Sequence, residues 1–302
     1  MTKTRKSKKN NKELKEYYGI IWILPAIVLI LVFCIYPAIS ALMHAFTNWD
    51  GTNSTFIGLD NFTRLLKDSL FWKSFKTMLF LMVVCMVLGN LATLSLSEMM
   101  FNLKSKKFNA LFRFLFVLPA LIPGIVIIFL WGKMILNGES TSIANKIIGF
   151  FGADPIGWFN NEKTVLLSII IYNFPWIGGT SFLIYLAGLN NISESAIEAS
   201  KLDGCGVFKR IIFIDLPLIK GQIKYFLILG VIGGIQGYSL QYAITNGGPG
   251  INYPSMVPGY YLYTRALNYS EYGYACAIGF VLFIIILTVT IINNKYFKSS
   301  ED

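Results

Sequence analysis

Long uncharged apolar runs alternate with short polar segments along the 302-residue chain. Six runs lack Asp, Glu, Lys and Arg over about the 20 residues that a helix needs to cross a bilayer. In chain order, as spans one to six, they are Ile20–Phe46, Thr77–Ser97, Phe114–Gly132, Thr164–Leu189, Tyr225–Ile244 and Tyr272–Asn294. The turn formers of Asn246-Gly-Gly-Pro-Gly250 should end span five near Ile244. The pattern predicts an all-α polytopic membrane protein with six transmembrane helices.

Composition agrees with this class. Apolar residues make up 55% of the chain and charged residues only 14%, against roughly 25% charged in a soluble domain. An ordinary water-soluble enzyme is therefore excluded. One histidine, His44, and four dispersed cysteines offer neither a zinc-ligand cluster nor a disulfide framework. We expect no metal site and no catalytic residue.

The first nineteen residues form a basic tail ahead of span one. Residues 20–296 are predicted to be one transmembrane domain. Span one is longer than the 7–15 apolar residues of a secretory signal core, which favours a retained anchor over a removable signal. Beside a membrane span, the basic tail is interpreted as an orientation signal that contacts anionic lipid, and not as a nucleic-acid arm.

The distribution of Lys and Arg predicts the orientation. The tail, the Glu98–Arg113 loop, the Asn190–Lys224 segment and the C-terminus hold 18 of the 26 basic residues, and the other three loops hold eight. Because cytoplasmic loops carry the excess of positive charge, both termini and the Asn190–Lys224 segment should face the cytoplasm of a bacterial cell.

The spans lack the usual means of driving transport. None contains a carboxylate to hold a coupling ion, and His44 is expected to pack at the outer end of span one. No G-x-x-x-x-G-K-[ST] loop occurs in the chain, so ATP would have to be hydrolysed by a partner. Sodium can also bind carbonyls of broken helices. A gradient-driven carrier or passive channel that acts without an ATPase therefore remains an alternative.

Prolines and glycines within the spans predict bends and close helix contacts. Prolines occur in spans one, three and four, and each removes a backbone hydrogen bond. Span five has two overlapping G-x-x-x-G spacings, Gly230 with Gly234 and Gly233 with Gly237. These features fit either packing within the subunit or movement against a partner around a transport path.

The segment between spans four and five, residues 190–220, has the pattern of two short amphipathic helices. Two capping pairs can start the first helix, Asn191 with Glu194 or Ser195 with Glu198. Gly204 and Gly206 should separate the helices. The predicted apolar positions are Ile192, Ala196, Ala199 and Leu202 in the first helix, and Val207, Phe208, Ile211 and Ile212 in the second, with Pro217 at its end. Such a pair needs a surface to bury against, which indicates docking.

This segment resembles the EAA motif, E-A-A-x-x-x-G followed nine residues later by I-x-L-P, of permease subunits in binding-protein-dependent ABC importers. The matching residues are Glu198, Ala199, Ser200, Asp203, Gly204, Ile214, Leu216 and Pro217. Ser200 replaces the second alanine of the motif. Further phrases, such as Phe56-Ile-Gly-Leu-Asp-Asn-Phe62 and Gly247-Gly-Pro249, are similar to the carbohydrate branch, near the maltose-type and glycerol-phosphate-type permeases.

The resemblance implies an ABC importer type I permease fold, with a core at about residues 73–296, and a heteromeric complex. The expected partners are a second, similar permease subunit, two cytoplasmic ATPase subunits, an extracytoplasmic solute-binding protein and a carbohydrate. The chain itself would bind no cofactor, since ATP and Mg belong to the ATPase. The EAA segment would couple the spans to the ATPase. Glu198 would offer its carboxylate to a basic group there, unless it is a solvated surface charge.

Polar and aromatic side chains in apolar spans are candidates for contact with a sugar. The resemblance to maltose-type members favours the spans that flank the EAA segment. The candidates are Asn173, Trp176, Gln236, Tyr238 and Gln241. The alternative is that they bond neighbouring helices or lie at the membrane interface. Four outer-loop residues, Trp158, Phe159, Pro249 and Tyr253, are expected to dock the binding protein or to pack on the subunit itself.

Overall fold

The computed structural model describes residues 22–244 and 254–296. These are mainly helical, with one two-stranded hairpin. The elements are α1 Trp22–His44, β1 Thr47–Trp49, β2 Ser54–Phe56, α2 Asp60–Lys67, α3 Ser69–Phe101, α4 Lys106–Val117, α5 Gly124–Phe129, α6 Ile143–Phe150, α7 Val165–Tyr172, α8 Gly179–Asn190, α9 Glu194–Leu202, α10 Val207–Arg210, α11 Lys220–Gln236, α12 Ser239–Ile244, α13 Pro258–Tyr263 and α14 Tyr272–Tyr296. The all-α class is confirmed apart from the hairpin. The predicted basic tail lies outside the described residues.

Among the described residues, four helical segments are long and apolar enough to cross a membrane, by length and composition: Trp22–His44, Ser69–Phe101, Lys220–Ile244, which includes the junction of α11 with α12, and Tyr272–Asn293. They contain predicted spans one, two, five and six, except for the ends of spans one and six. No residue from Trp22 to Ile39 is buried within the chain, as expected for an apolar helix that faces lipid or a partner.

Span three is bent. Lys106–Leu121 and Gly124–Ile135 meet at 87°. Pro119 and Pro123 account for the bend, because each lacks the N–H that would continue the helix.

Span four is broken into α7 of 8 residues and α8 of 12 residues. Each piece is too short to cross a bilayer alone. The intervening residues include a cis Phe174–Pro175 bond and Trp176 at φ 59°. The count of six transmembrane helices is therefore not confirmed. A run without charges specifies burial in lipid, but it does not specify an unbroken helix.

The chain divides into two compact units. The described residues of the first are 22–67 and 265–281. Here β1 and β2 pair antiparallel. Backbone N–H groups of Asn53 and Thr52 at the turn hold the pKa of Asp50 well below its usual range. His44 stacks on Trp49 with ring centroids 4.1 Å apart, so it packs at the end of α1, as expected. Arg64 bonds both carboxylate oxygens of Glu271, at 2.9 and 2.8 Å.

The described residues of the second unit are 68–244, 254–264 and 282–296, and α3 is its central helix. The Asp68 side chain caps the first turn of α3 by accepting from Leu70 N and Phe71 N. α3 then packs along α8 and α11. Two buried apolar clusters cover its C-terminal half. One contains Tyr185, Leu189, Ile192 and Ile219, and the other contains Met100, Phe182 and Leu186.

The first glycine pair of span five is used in packing. A Cβ at Gly230 would lie 3.0 Å from Met86 Cγ, and one at Gly234 would lie 2.5 Å from Met82 Cγ. These two glycines therefore let α11 approach α3 closely. Gly233 faces open space, so the second spacing, Gly233 with Gly237, does not serve this contact.

Candidate functional site

The predicted pair of helices in the 190–220 segment is present, but its start differs from both predicted capping pairs. Ser193 is the N-cap of α9, and its Oγ accepts a hydrogen bond from Ala196 N at 3.4 Å. Both predictions are wrong because Asn191 already ends α8 as its C-cap, while Ser195 lies inside α9. An unpaired backbone N–H group in the first turn of α9 is therefore bonded by Ser193, which lies between the two predicted caps.

A sharp turn at Gly204 separates α9 from α10. Gly204 has φ +70°, a conformation that costs other L-residues about 1–2 kcal/mol. The turn is closed by hydrogen bonds from Gly204 N to Lys201 O at 3.1 Å and from Cys205 N to Ser200 O at 2.9 Å. The predicted role of this glycine in the turn is thus confirmed. Gly206, at φ −65°, starts α10 as its N-cap.

One side of α9 is packed and the other is exposed. Ile192, just before α9, is buried in the cluster around Tyr185, and Ala196 is half-buried against it. Ala199 is exposed, and Leu202 is 90% exposed. The predicted apolar face is therefore wrong for its second half, because the buried position there is Ser200.

The tip of the segment, residues 198–208, is open to its surroundings. Glu198 and Asp203 are exposed beside the turn, while Ser200 is buried and donates to Ile197 O at 2.7 Å. Val207 is 56% and Phe208 75% exposed. Apolar side chains left open in this way on a short turn are typical of a surface that another chain covers.

The second half of the segment runs on past the predicted stop. α10 continues through a π-helical turn, Ile211–Asp215, and one more helical turn, Leu216–Leu218. Pro217 lies at the start of that last turn, where a missing N–H is tolerated, so its prediction as the end of the helix is wrong by one residue. Ile214 is half-buried, and Leu216 packs on the Tyr185 cluster.

A buried charge network that the sequence analysis missed joins this segment to the end of α3. Arg210 Nε donates to Asp215 Oδ2 at 3.0 Å, and Arg210 Nη2 donates to Asn102 Oδ1 at 2.7 Å. Asp215 is fully buried, and Glu98 is 5% exposed nearby on α3. A spacing of five residues does not place two side chains together on an α-helix, and the π-helical turn brings them into contact. The available signal in the sequence was that Arg210 and Asp215 adjoin the predicted apolar face of the second helix.

Two candidate path residues lie at the break in span four. Asn173 is the exposed C-cap of α7, and its Nδ2 donates to Ile169 O at 3.2 Å. Trp176 Nε1 donates to Ile170 O at 2.8 Å, and Thr93 of α3 donates to Trp176 O at 3.5 Å. The break is therefore held by α3 while the Asn173 amide stays accessible.

The other three candidates lie where α11 gives way to α12. Gln236 is exposed at the end of α11, Gln241 is buried in α12, and Tyr238 between the helices is 39% exposed. Tyr238 stacks on Tyr263 of α13 with centroids 5.8 Å apart. A hydrogen bond with Tyr242 raises the pKa of the Tyr263 phenol above its usual value. The two groups of candidates thus have separate supports, α3 for the first and α13 for the second.

The structure describes two of the four outer-loop residues that were expected to dock the binding protein or to pack on the subunit. Trp158 Nε1 donates to Asn145 Oδ1 at 2.9 Å, and Phe159 is 7% exposed. Both pack on the subunit's own loop, which favours the second of the two expected uses. Phe159 also lines a cavity of about 270 Å³, together with Lys133 and Glu139. Pro249 and Tyr253, like Gly247-Gly-Pro249, lie outside the described residues.

Comparison with known proteins gives consistent matches. Residues 89–297 match the family model described as "Binding-protein-dependent transport system inner membrane component". The arabinooligosaccharides transport system permease protein AraP of Bacillus subtilis is 34% identical over 90% of this chain and 85% of its own length. The multiple sugar-binding transport system permease protein MsmF of Streptococcus mutans is 28% identical over 96% of this chain and 98% of its own. A chain in the crystal structure of a bacterial ABC transporter involved in import of the acidic polysaccharide alginate has a TM-score of 0.81, with 23% identity, over 96% of this chain and 100% of that one. That last likeness concerns the fold.

Proposed function

The chain belongs to the family of binding-protein-dependent transport system inner membrane components, and we propose that it is the permease subunit of an ATP-driven carbohydrate importer. It is a multi-pass membrane protein of the sugar ABC permease type. The names of AraP and MsmF, which this chain resembles over nearly its whole length, support an oligosaccharide or other sugar as the cargo. A second, similar permease, two ATPase subunits and an extracytoplasmic binding protein complete the proposed complex.

The proposed drive is a partner ATPase that holds the tip of the 190–220 segment. The observation that carries this step is the open apolar surface around the Gly204 turn, where Leu202, Val207 and Phe208 are all more than half exposed. Burying three such side chains against a partner contributes about 1.5–3 kcal/mol each. The exposed carboxylate of Glu198 is proposed to pair with a basic group of that partner. ATP and Mg would be bound there, and the segment would lie in the cytoplasm with both termini.

The proposed sugar path runs past the break in span four and the junction of α11 with α12. At the break, Asn173 offers an exposed amide and Trp176 an aromatic face. At the junction, Tyr238 offers a second aromatic face, and Gln236 a second exposed amide. Amides that hydrogen-bond hydroxyl groups and rings that cover apolar sugar faces are the chemistry that carbohydrate recognition requires. Gln241, which is buried, is assigned a supporting place in the path.

Purification of the tagged chain from its native membrane tests the proposal. We expect an ATPase, a second permease and ATP hydrolysis to accompany it, with hydrolysis stimulated by the sugar-loaded binding protein. Glu198→Ala should weaken stimulation, while Glu194→Ala, which removes another exposed carboxylate of α9, should not. A chain that purifies without any ATPase, yet transports solute down or against an ion gradient, would establish the carrier alternative.

A further inference from the structure

We propose that Arg210 is a positioning residue that ties the 190–220 segment to α3, and that α3 carries the segment's displacement to the break in span four. The proposal rests on the proposed function, since it takes an ATPase as the source of the displacement. It adds a physical link inside this chain between the surface that an ATPase would move and the place where a sugar would pass.

The first part of the link is the buried ion pair. Arg210 is 7% exposed and Asp215 is fully buried, with Nε 3.0 Å from Oδ2. Separating such a pair leaves an uncompensated charge out of water, which is strongly unfavourable. The two ends of the π-helical turn therefore move as one body.

The second part joins that body to α3. The planar guanidinium presents several donors at once, and its Nη2 reaches Asn102 Oδ1 at 2.7 Å while Nε holds Asp215. Asn102 is exposed, but its Nδ2 donates to Glu98 O at 2.8 Å, which holds its side chain against the end of α3. The Arg210 guanidinium also lies 5.5 Å over the ring of Phe101. A displacement of the segment thus acts directly on the last turn of α3.

Two acids lie close to this arginine. Arg210 pairs directly with Asp215, whereas Glu98 Oε2 accepts a long hydrogen bond, 3.5 Å, from Asn102 Nδ2. Within residues 22–244 and 254–296, Glu98 Oε1 and Asp215 Oδ1 are buried without a hydrogen-bond partner. Burying a charged acceptor in this way is costly, so the ion pair with Arg210 is what compensates the buried charge of Asp215.

The third part is α3 itself. From Asn102 to Thr93 the helix is continuous and rises about 14 Å. Thr93 Oγ1 donates to Trp176 O at 3.5 Å and accepts from Gly178 N at 3.4 Å, so it contacts both sides of the residues that follow Pro175. Ser97 bonds Phe182 O at 3.4 Å between these points. A shift of the C-terminal end of α3 is therefore transmitted to the break in span four without involving α11.

The experiment uses the complete complex in proteoliposomes and measures sugar imported per ATP hydrolysed. Asn102→Ala removes the second link but leaves the buried ion pair intact, so the subunit should assemble with the wild-type melting temperature. We expect the ratio of import to hydrolysis to fall about tenfold, the equivalent of about 1.4 kcal/mol of lost coupling. Lys209→Gln, which removes an exposed charge next to Arg210, is the matched control and should keep the wild-type ratio.

Two further variants make every outcome decisive. Arg210→Lys keeps the charge but lacks the fork that reaches both partners, so it should lower the ratio as Asn102→Ala does. Thr93→Val keeps the shape of the side chain and removes the hydroxyl that bonds the break in span four. Combined with Asn102→Ala, it should lower the ratio little further. A wild-type ratio in either Asn102→Ala or Arg210→Lys would overturn the proposal, as would full additivity with Thr93→Val. A wild-type complex without sugar-stimulated hydrolysis would instead contradict the proposed function.

Discussion

Replacing Gly204 with serine perturbs the turn of the coupling segment through the backbone alone. A Cβ at Gly204 meets no atom within 4 Å, so no steric contact is added. The residue has φ +70°, and a non-glycine residue there loses about 1–2 kcal/mol. That loss lowers the equilibrium ratio of native to non-native turn by a factor of about 5–30. Because the turn presents the proposed docking surface, sugar-stimulated ATP hydrolysis should fall, by at most this factor.

Gly206→Ser is the matched control for this prediction. Gly206 also faces open space, but it has φ −65° and is the N-cap of α10, a position that serine favours. Hydrolysis and sugar uptake should stay at the wild-type level. Gly204→Asn should recover part of the activity, since asparagine tolerates positive φ better than serine does. Equal losses in Gly204→Ser and Gly206→Ser, or no loss in either, would refute the reasoning.

Two other changes have expected outcomes in separate parts of the molecule. Asn173→Ala removes an accessible amide at the break in span four. Because one hydrogen bond contributes about 0.5–1.5 kcal/mol, the half-saturating sugar concentration in an uptake assay should rise about two- to tenfold. Unchanged kinetics would show that Asn173 does not contact the sugar. Gly234→Leu forces a side chain into Met82, 2.5 Å from the new Cβ, and should destabilise the purified subunit by about 1–3 kcal/mol in a thermal unfolding experiment. Gly233→Leu, which enters open space, should not, and an equal drop in melting temperature for both variants would show that the α3–α11 contact is misassigned.

Local backbone requirements were predictable from the sequence. The turn at Gly204 follows from a glycine between two amphipathic patterns, and the structure has the positive φ that explains it. The use of Gly230 and Gly234 in a close helix contact likewise follows from their spacing, but the spacing did not show that the neighbour is α3 of the same subunit. In both cases a single residue type has a property that no other supplies, so the sequence alone carries the information.

Features that depend on distant residues were not predictable. Ser193 is the cap of α9 only because α8 extends to Asn190. The sequence offered two other capping pairs of equal quality, so it did not single out Ser193. The pairing of Arg210 with Asp215 depends on a π-helical turn, for which the pattern gives no signal. The proline of span four predicted a bend, but the full break depends on how residues 173–178 are held by α3, which the sequence does not show.

The central claim is that this chain is a conduit for a carbohydrate and that a partner ATPase drives it through the 190–220 segment. Uptake of a labelled oligosaccharide into proteoliposomes tests it most directly, with the chain alone compared with the complete complex and its binding protein. We expect accumulation against a gradient only with the complete complex and ATP, and reduced accumulation when Gly204→Ser replaces the wild-type subunit. Accumulation by the chain alone, without nucleotide or partners, would contradict the claim.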